Sequence, residues 1–369
     1  MAKRARRGPG KEHVGRIALC RKELRTLGAG GLLLTSDNDY FYLMGYTPNQ
    51  SAVIVTRDEV HVITDARFEN EAKREVLWAR VWMRRGVLHD EIGNVCQKLR
   101  IKKLAVQAGH FTLSDQAELR RRVKGMKLVP ASPFTTAKRK VKSPSELAII
   151  RRSIRTAEEA FLATRKTIRV GQTEREMAAR LEYEMKRRGA EGVAFPTICA
   201  EGAHSALPHA VPGGRRVKKG SAVLFDWGAK VGRYCSDLTR MVFIGSIPRT
   251  FERLYPIVLD AQLAAIAEIR PGRRMCDVDA VARKAIAKSG YGKRFTHGLG
   301  HGFGLDIHEA PSLSWRSEEK LETGMVVTVE PGVYLPGFGG VRIEDDVLVT
   351  RSGCRVLTSL PKSLSSAVI

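Results

Sequence analysis

The chain has 369 residues, 43% of them hydrophobic and 28% charged, enough apolar material for one large core or two modest ones and too much for a disordered or fibrous protein. No run approaches the roughly 18 apolar residues of a membrane span, and the basic start MAKRARRGPGKEH passes into polar residues instead of a signal-peptide apolar segment, so a cytoplasmic protein with no membrane partner is expected. The net charge of +24 raises nucleic acid as a partner, yet residues 1–150 carry 29 basic and 15 acidic side chains and residues 151–369 carry 34 and 24. An excess spread over both halves, with local runs only at 3–11 and 120–142, reads as solvated surface and disfavours that partner.

Six cysteines (Cys20, Cys96, Cys199, Cys235, Cys276, Cys354) occur without any CxxC pair, which is neither a disulfide framework nor a zinc-ribbon spacing. They read as reduced core thiols. In chain order, Val14, Ile17 and Leu24 recur at helical spacing before Gly28, and the short apolar runs GLLLT, SAVIVT and VHVITD between 31 and 65 read as strands, as do LAVQA (104–108) and KLVPA (127–131). These make residues 1–135 a small mixed α/β domain. The stretch ASPFTTAKRKVKSP has no apolar periodicity, and a linker is expected at 136–145.

A second domain, 146–369, follows. Ser143 and Glu146 form a capping box around Pro144, with Leu147, Ile150, Ile154, Ala157 and Phe161 at helical spacing, and Thr173 and Glu176 repeat the box before a helix ending near Gly189. An internal repeat then appears. Ile168-Arg169-Val170-Gly171 matches Ile269-Arg270-Pro271-Gly272, His209-Ala210-Val211-Pro212 matches His308-Glu309-Ala310-Pro311, and residues 220–228 match 324–332, with Asp226 and Glu330 at one acidic position. Each half therefore reads as two helices and a β-hairpin carrying carboxylates, arranged about a pseudo-twofold axis with a site between the hairpins.

Asp226 and Asp237 flank a turn near 230–232, and Glu330 and Glu344 flank another at LPGFGG. An antiparallel hairpin can set such acids on one face, among apolar neighbours where acids are normally absent. At an effective dielectric near 20, two carboxylates about 4 Å apart repel by ~4 kcal/mol, so the group demands cations. Four carboxylates and one imidazole balance two divalent ions. An oxygen-rich donor set with one nitrogen suits Mn2+ first, with Co2+, Zn2+ and Fe2+ as the other candidates. The imidazole is expected from HGLGHGFGLDIHEAP, which holds His297, His301 and His308 and lacks the helical HExxH arrangement and the GK[ST] of a phosphate loop. The histidines of the first domain (His13, His61, His89, His110) are expected to lack carboxylate partners and take no part in this reading, and no mechanism favours Cys235 as a nucleophile.

SALPHA, VLFDWGA with CSDLTR, GHGFGLDIHEAPSLS and GMVVTVEPGVYLPGFGGVRIEDDVLVT resemble the pita-bread metallopeptidase family of aminopeptidase P, prolidase and methionine aminopeptidase. LLLTSDNDYFYLMGYT and VITDARFENEA resemble the creatinase-like amino-terminal domain found with it. The resemblance implies an α/β (α+β) protein whose pita-bread domain binds two metal ions through Asp226, Asp237, His301, Glu330 and Glu344, with Asp237 and Glu344 bridging. It also implies that Glu330 handles the proton of the attacking water, that His209 and His308 orient the scissile carbonyl and stabilise the oxyanion, that His297 lines a proline subsite, and that Arg342 steadies the bridging carboxylates. The implied activity is hydrolysis of Xaa-Pro bonds in proline-containing peptides, by a homodimer. A non-catalytic peptide- or nucleic-acid-binding protein on the same fold, or a metal-dependent enzyme with a non-peptide substrate, are the alternatives. Glu201-Gly202-Ala203-His204 and Ser221 depart from the family pattern without touching an expected ligand.

Overall fold

The computed structural model describes residues 10–47, 49–131 and 134–369; the basic positions 3–9 lie outside them. The chain divides into two compact units, Met1–Ala137 and Lys138–Ile369.

In the first unit, α1 (Lys11–Leu27) closes on Gly28, whose φ of 57° gives the left-handed cap that a side chain would strain. It is followed by β1 (Gly31–Leu34), α2 (Asp37–Met44), β2 (Ala52–Val55), β3 (Val60–Thr64), α3 (Glu69–Glu75), β4 (Arg80–Met83), α4 (Leu88–Lys98), β5 (Lys103–Gln107), α5 (Leu113–Arg122) and β6 (Lys127–Ala131). One six-stranded sheet runs β4-β3-β2-β1-β5-β6, antiparallel at β1/β2 and β2/β3 and parallel elsewhere. The mixed sheet expected from the sequence is present, with β4 added to it. Strand β4 carries Arg80 and three half-buried residues, a composition without a buried strand's apolar run.

The expected linker is folded chain. Helix α6 (Phe134–Arg139) occupies its start, and Val141 bridges Met325. Arg139 and Lys142 are both buried and pair with the carboxylate of Glu309. A lysine-rich stretch without periodicity looks like solvated chain because its burial depends on an acid 167 residues away.

The second unit opens as expected. Ser143 and Thr173 each complete a capping box, with Glu146 and Glu176, at the starts of α7 (Pro144–Arg165) and α8 (Glu174–Arg187). Strands β7 (Gly192–Val193), β8 (Ile198–Glu201), β9 (Ala222–Trp227), β10 (Ala229–Val231), β11 (Tyr234–Cys235) and β12 (Leu238–Phe243) complete the first half. The second half repeats the order with α9 (Arg249–Ala267), α10 (Met275–Lys288), β13 (Gly300–Gly302), β14 (Glu309–Leu313), β15 (Val326–Val329), β16 (Gly332–Leu335), β17 (Gly339–Arg342), β18 (Asp345–Val349) and β19 (Cys354–Val356). The duplication is visible in the backbone: Gly171 N–H donates to Val217 O at 2.8 Å and Gly272 N–H to Leu321 O at 2.8 Å. The sheets run β12-β9-β8 and β14-β13-β15-β18-β19, with β11-β10-β7 and β16-β17 as smaller ones.

Alternation along the hairpin strands decides where the acids point. In β9, Val223, Phe225 and Trp227 pack into the core beneath α7 and α8, where Trp227 stacks on Phe161 at 4.4 Å. Leu224 faces the other way, into the core shared with α9 and α10, and Asp226 falls on Leu224's face. In β15 and β18, Val327, Val329, Val347 and Val349 belong to the α9/α10 core, which leaves Thr328 and Asp346, with Glu330 and Glu344 in the same phase, on the opposite face.

Strand β13 carries His301 and lies so close to β15 that a Cβ on Gly300 would sit 2.0 Å from the Thr328 carbonyl oxygen. Gly300→Ala is therefore expected to lower stability by about 2 kcal/mol or more, an overpacking cost against rigid backbone. Gly214→Ala, with open space around it, should stay within about 0.5 kcal/mol of the parent; urea unfolding of both variants checks the contrast.

Candidate metal centre

Each hairpin keeps the same register offset on both sides of a gap in its ladder. Asp226↔Thr239 and Lys230↔Cys235 belong to the first, and Val329↔Asp345 and Gly332↔Arg342 to the second. Asp237 thus lies diagonally from Asp226 on one face, whereas Glu330 lies directly across from Glu344. Oxygens of Asp226, Asp237 and Glu344 come within 4.8 Å of one another. His301 Nε2 lies 3.6 Å from Asp237 and 3.3 Å from Glu330. All five residues that the sequence singled out for metal binding meet at the wall of one cavity of about 1090 Å3.

The donor set fits a divalent cation. Glu344 accepts from Thr239 Oγ1 at 2.6 Å through one oxygen, and Asp226 from Arg342 Nη2 at 2.5 Å through one oxygen. Their other oxygens, Glu344 Oε1 and Asp226 Oδ1, are buried with no hydrogen-bond partner among the described residues, which is costly for a carboxylate unless a cation meets it. His301 Nδ1 donates to the Gly302 carbonyl at 3.1 Å, which fixes the tautomer and leaves the Nε2 lone pair facing the acids. Burial holds the His301 imidazole down to about 3, reinforced by His308, so it is neutral, as a ligand must be.

Burial also raises the acids. Asp237 is pushed well above the carboxylate range by burial and then by Glu344, Asp226 and Glu330; Glu344 by burial and then Glu330 and Asp226. Burial, with Asp226 adding to it, raises Glu330 to about 7 against the opposing pull of Arg342. Acids that hold protons more tightly folded than unfolded favour folding at low pH and lose that advantage as pH rises through the folded value.

Residues beyond the five expected to bind metal complete the site. Arg342 is 3% exposed and was expected to steady Asp237 and Glu344, but its direct carboxylate partner is Asp226. It reaches Glu344 only through Thr239, whose hydroxyl accepts from Arg342 Nε at 3.1 Å and donates to Glu344. The reason is register: Arg342 stands two positions before Glu344 on one strand face and extends across to the first hairpin. Arg342 Nη1 also donates to Tyr334 Oη at 2.7 Å, and Tyr334 Oη lies 2.9 Å from His297 Nε2. With Nδ1 donating to the Gly298 carbonyl at 2.8 Å, His297 is a neutral ring whose nitrogens are both engaged. Burial, followed by Arg342, lowers it to about 4. His209 and His308 are exposed on the cavity wall, and the His301 and His308 rings meet edge-on at 4.4 Å.

Tyr334 and Thr239 were not legible as site residues, since a tyrosine and a threonine in strands are ordinary. Cys235 has a buried thiol raised to about 12 by burial, in keeping with no nucleophilic role, and all six cysteines are unpaired. The absence of carboxylates around the first-unit histidines does not hold: His89 Nε2 lies 2.9 Å from Asp115, and His61 Nε2 3.7 Å from Glu59. These pairs stay within the first unit.

Residues 148–351 match the model of metallopeptidase family M24, and residues 16–141 match the creatinase/prolidase N-terminal domain. The chain belongs to metallopeptidase family M24. It is 36% identical to the uncharacterized peptidase YqhT of Bacillus subtilis over 338 residues, covering 92% of this chain and 96% of that protein. With the Xaa-Pro dipeptidase of Pyrococcus horikoshii it shares 35% identity over 334 residues, 90% of this chain and 93% of that one. The solved structure of the Xaa-Pro dipeptidase from Bacillus anthracis superposes with a TM-score of 0.92 at 35% identity, covering 97% of this chain and all of that one. That of an X-Pro aminopeptidase from Thermotoga maritima gives 0.88 at 36%, with 94% and 100% covered. As an M24 metallopeptidase the protein uses divalent metal, and the helices of the described residues include none long and apolar enough to cross a membrane.

Two outcomes follow for the metal site. Thr239→Val, which removes the hydroxyl between Arg342 and Glu344, should weaken divalent-metal binding by about 10- to 100-fold in a calorimetric titration. The metal-free protein should lose thermal stability as pH rises from about 4.5 to 7, the window between the unfolded and folded values of Glu330. Added divalent metal should flatten that slope in melting scans.

Proposed function

We propose that this chain is an exopeptidase that hydrolyses Xaa-Pro bonds with two divalent ions, Mn2+ first, held by Asp226, Asp237, His301, Glu330 and Glu344. The observation that carries the reading is the convergence of these five side chains on one cavity, with bare buried oxygens on Asp226 and Glu344. The names of the relatives, an Xaa-Pro dipeptidase and an X-Pro aminopeptidase, support the substrate class.

Bound divalent ions supply an activated water and electrophilic pull on the scissile carbonyl. The chain's own residues do the rest. Glu330 takes the proton of the attacking water and returns it to the departing nitrogen. His209 and His308, in matching places of the two halves, orient the carbonyl and stabilise the oxyanion. An Xaa-Pro bond has no amide N–H to grip, so recognition falls to shape: Phe195, Pro196, Ile198 and Pro208 with His297 give the cavity an apolar wall suited to a ring of fixed φ. Arg342 aligns Asp226 and opposes the upward push of burial on its carboxyl. We assign the enzyme to the cytoplasm, where six unpaired thiols persist, and a homodimer is the state that the family resemblance implies.

Purified protein reloaded with Mn2+ should cleave an Xaa-Pro dipeptide, an Xaa-Pro-Xaa tripeptide or both, and chelation should abolish it. Cleavage of the dipeptide alone marks a dipeptidase, and preference for the tripeptide an aminopeptidase. Asp237→Ala and Glu344→Ala should each lose activity and at least one metal by elemental analysis. His209→Ala should keep its metal and lose about 100-fold in kcat, the scale of a lost oxyanion donor. Metal-dependent cleavage of neither peptide would overturn the assignment.

A further inference from the structure

Glu174 is the first residue of α8 and is 0% exposed. A carboxylate at that depth is tolerable only where donors replace water, and three do. Its Oε1 accepts from Glu201 N–H at 2.7 Å and from His204 Nδ1 at 2.8 Å, and its Oε2 accepts from Gly213 N–H at 2.8 Å. Two of these donors are backbone amides at the two ends of one segment, 201–213. That segment carries Ser205, whose hydroxyl accepts from Gly340 N–H at 2.8 Å, Pro208, whose carbonyl accepts from Arg342, and His209.

The duplication provides an internal control. Met275 takes the corresponding place at the start of α10 and is equally buried. The backbone pattern is the same in both halves. Glu174 and Arg175 N–H donate to Arg215 and Gly213 O at 3.0 and 3.1 Å, while Met275 and Cys276 N–H donate to Glu319 and Ser317 O at 2.9 Å each. A thioether therefore suffices for the scaffold, and the carboxylate serves what only the first half has, the closed 201–213 segment.

We infer that Glu174, assisted by His204, is a positioning residue that buckles the 201–213 segment and so sets His209 on the cavity wall. The inference rests on the reading of His209 as the residue that orients the substrate carbonyl. Its physical core is the immobility of the segment, which can be read without substrate. In Glu174→Gln, one oxygen becomes an amide nitrogen that cannot accept from a backbone N–H. Glu174→Met copies the second half.

Hydrogen–deuterium exchange on the full chain reloaded with Mn2+ tests the buckle directly. Glu174→Met should raise exchange of the 201–213 amides at least tenfold and leave α8 and β9 unchanged. His204→Ala, a side chain 16% exposed and lost without opening the core, should raise it several-fold and serves if the methionine variant does not fold. Unchanged exchange in these variants overturns the buckle. In kinetics on the cleaved peptide, Glu174→Gln should lower kcat about tenfold, with KM within threefold and metal content unchanged. In a His209→Ala background the same change should cost less than twofold; an equal loss in both backgrounds overturns the link to His209. An inactive parent protein with faster segment exchange in the variants would overturn the peptidase reading and uphold the buckle.

Discussion

Three buried carboxylates and the half-buried Glu330, held against one another, are the constraint around which the second unit is organised. Burial is the larger penalty and mutual repulsion the next, so the arrangement persists only if positive charge enters it. Among the described residues that touch these acids, Arg342 is the fixed cation, and its guanidinium serves Asp226, Thr239 and Tyr334 at once. One unit charge cannot offset four acids. The raised acids can meet the remainder by keeping protons, which a divalent cation entering among them would displace.

The surroundings are arranged to leave the required atoms free. Thr239 occupies one oxygen of Glu344, Arg342 one oxygen of Asp226, and the Gly302 carbonyl one nitrogen of His301. Each contact removes a competing orientation and exposes the opposite lone pair, the way outer partners prepare metal ligands generally. His297 shows the contrary case, with Tyr334 and Gly298 engaging both its nitrogens, so this ring contributes shape to the cavity wall.

The acids of the cluster were legible in the sequence because residues such as Asp226 and Glu330, within the runs AVLFDW and VVTVE, contradict their surroundings, and because the contradiction occurs twice at matching places. Alternation along β9 and β15 then fixes which face they take. What the sequence concealed depends on distance across the fold. The partner that Arg342 chooses, the role of Tyr334 and the burial of Arg139 and Lys142 all arise from contacts between residues far apart in the chain, where no local period exists. Glu174 is hidden for a different reason: it stands in the first turn of a well-capped helix, where an acid is ordinary, and its three donors come from a segment 27 to 39 residues on.

The duplication itself explains why the centre is asymmetric. The shared registers make Asp226 the twin of Glu330, Thr239 the twin of Glu344, and Asp237 the twin of Arg342, because Asp237 falls across from Gly228 as Arg342 does from Gly332. Thr239 and Glu344 are therefore twins that touch each other, at 2.6 Å. The contact between Arg342 and Asp226 has as its twin the approach of Asp237 to Glu330, an acid beside an acid with His301 Nε2 3.6 and 3.3 Å away. One side of the pseudo-twofold is neutralised by protein and the other is not. A strictly symmetric pair of hairpins would have carried either two arginines, closing the site to metal, or two aspartates, leaving every acid without a fixed counter-charge. Replacing one acid by arginine in a single half keeps the cluster stable enough to fold and open enough to bind cations where His301 points.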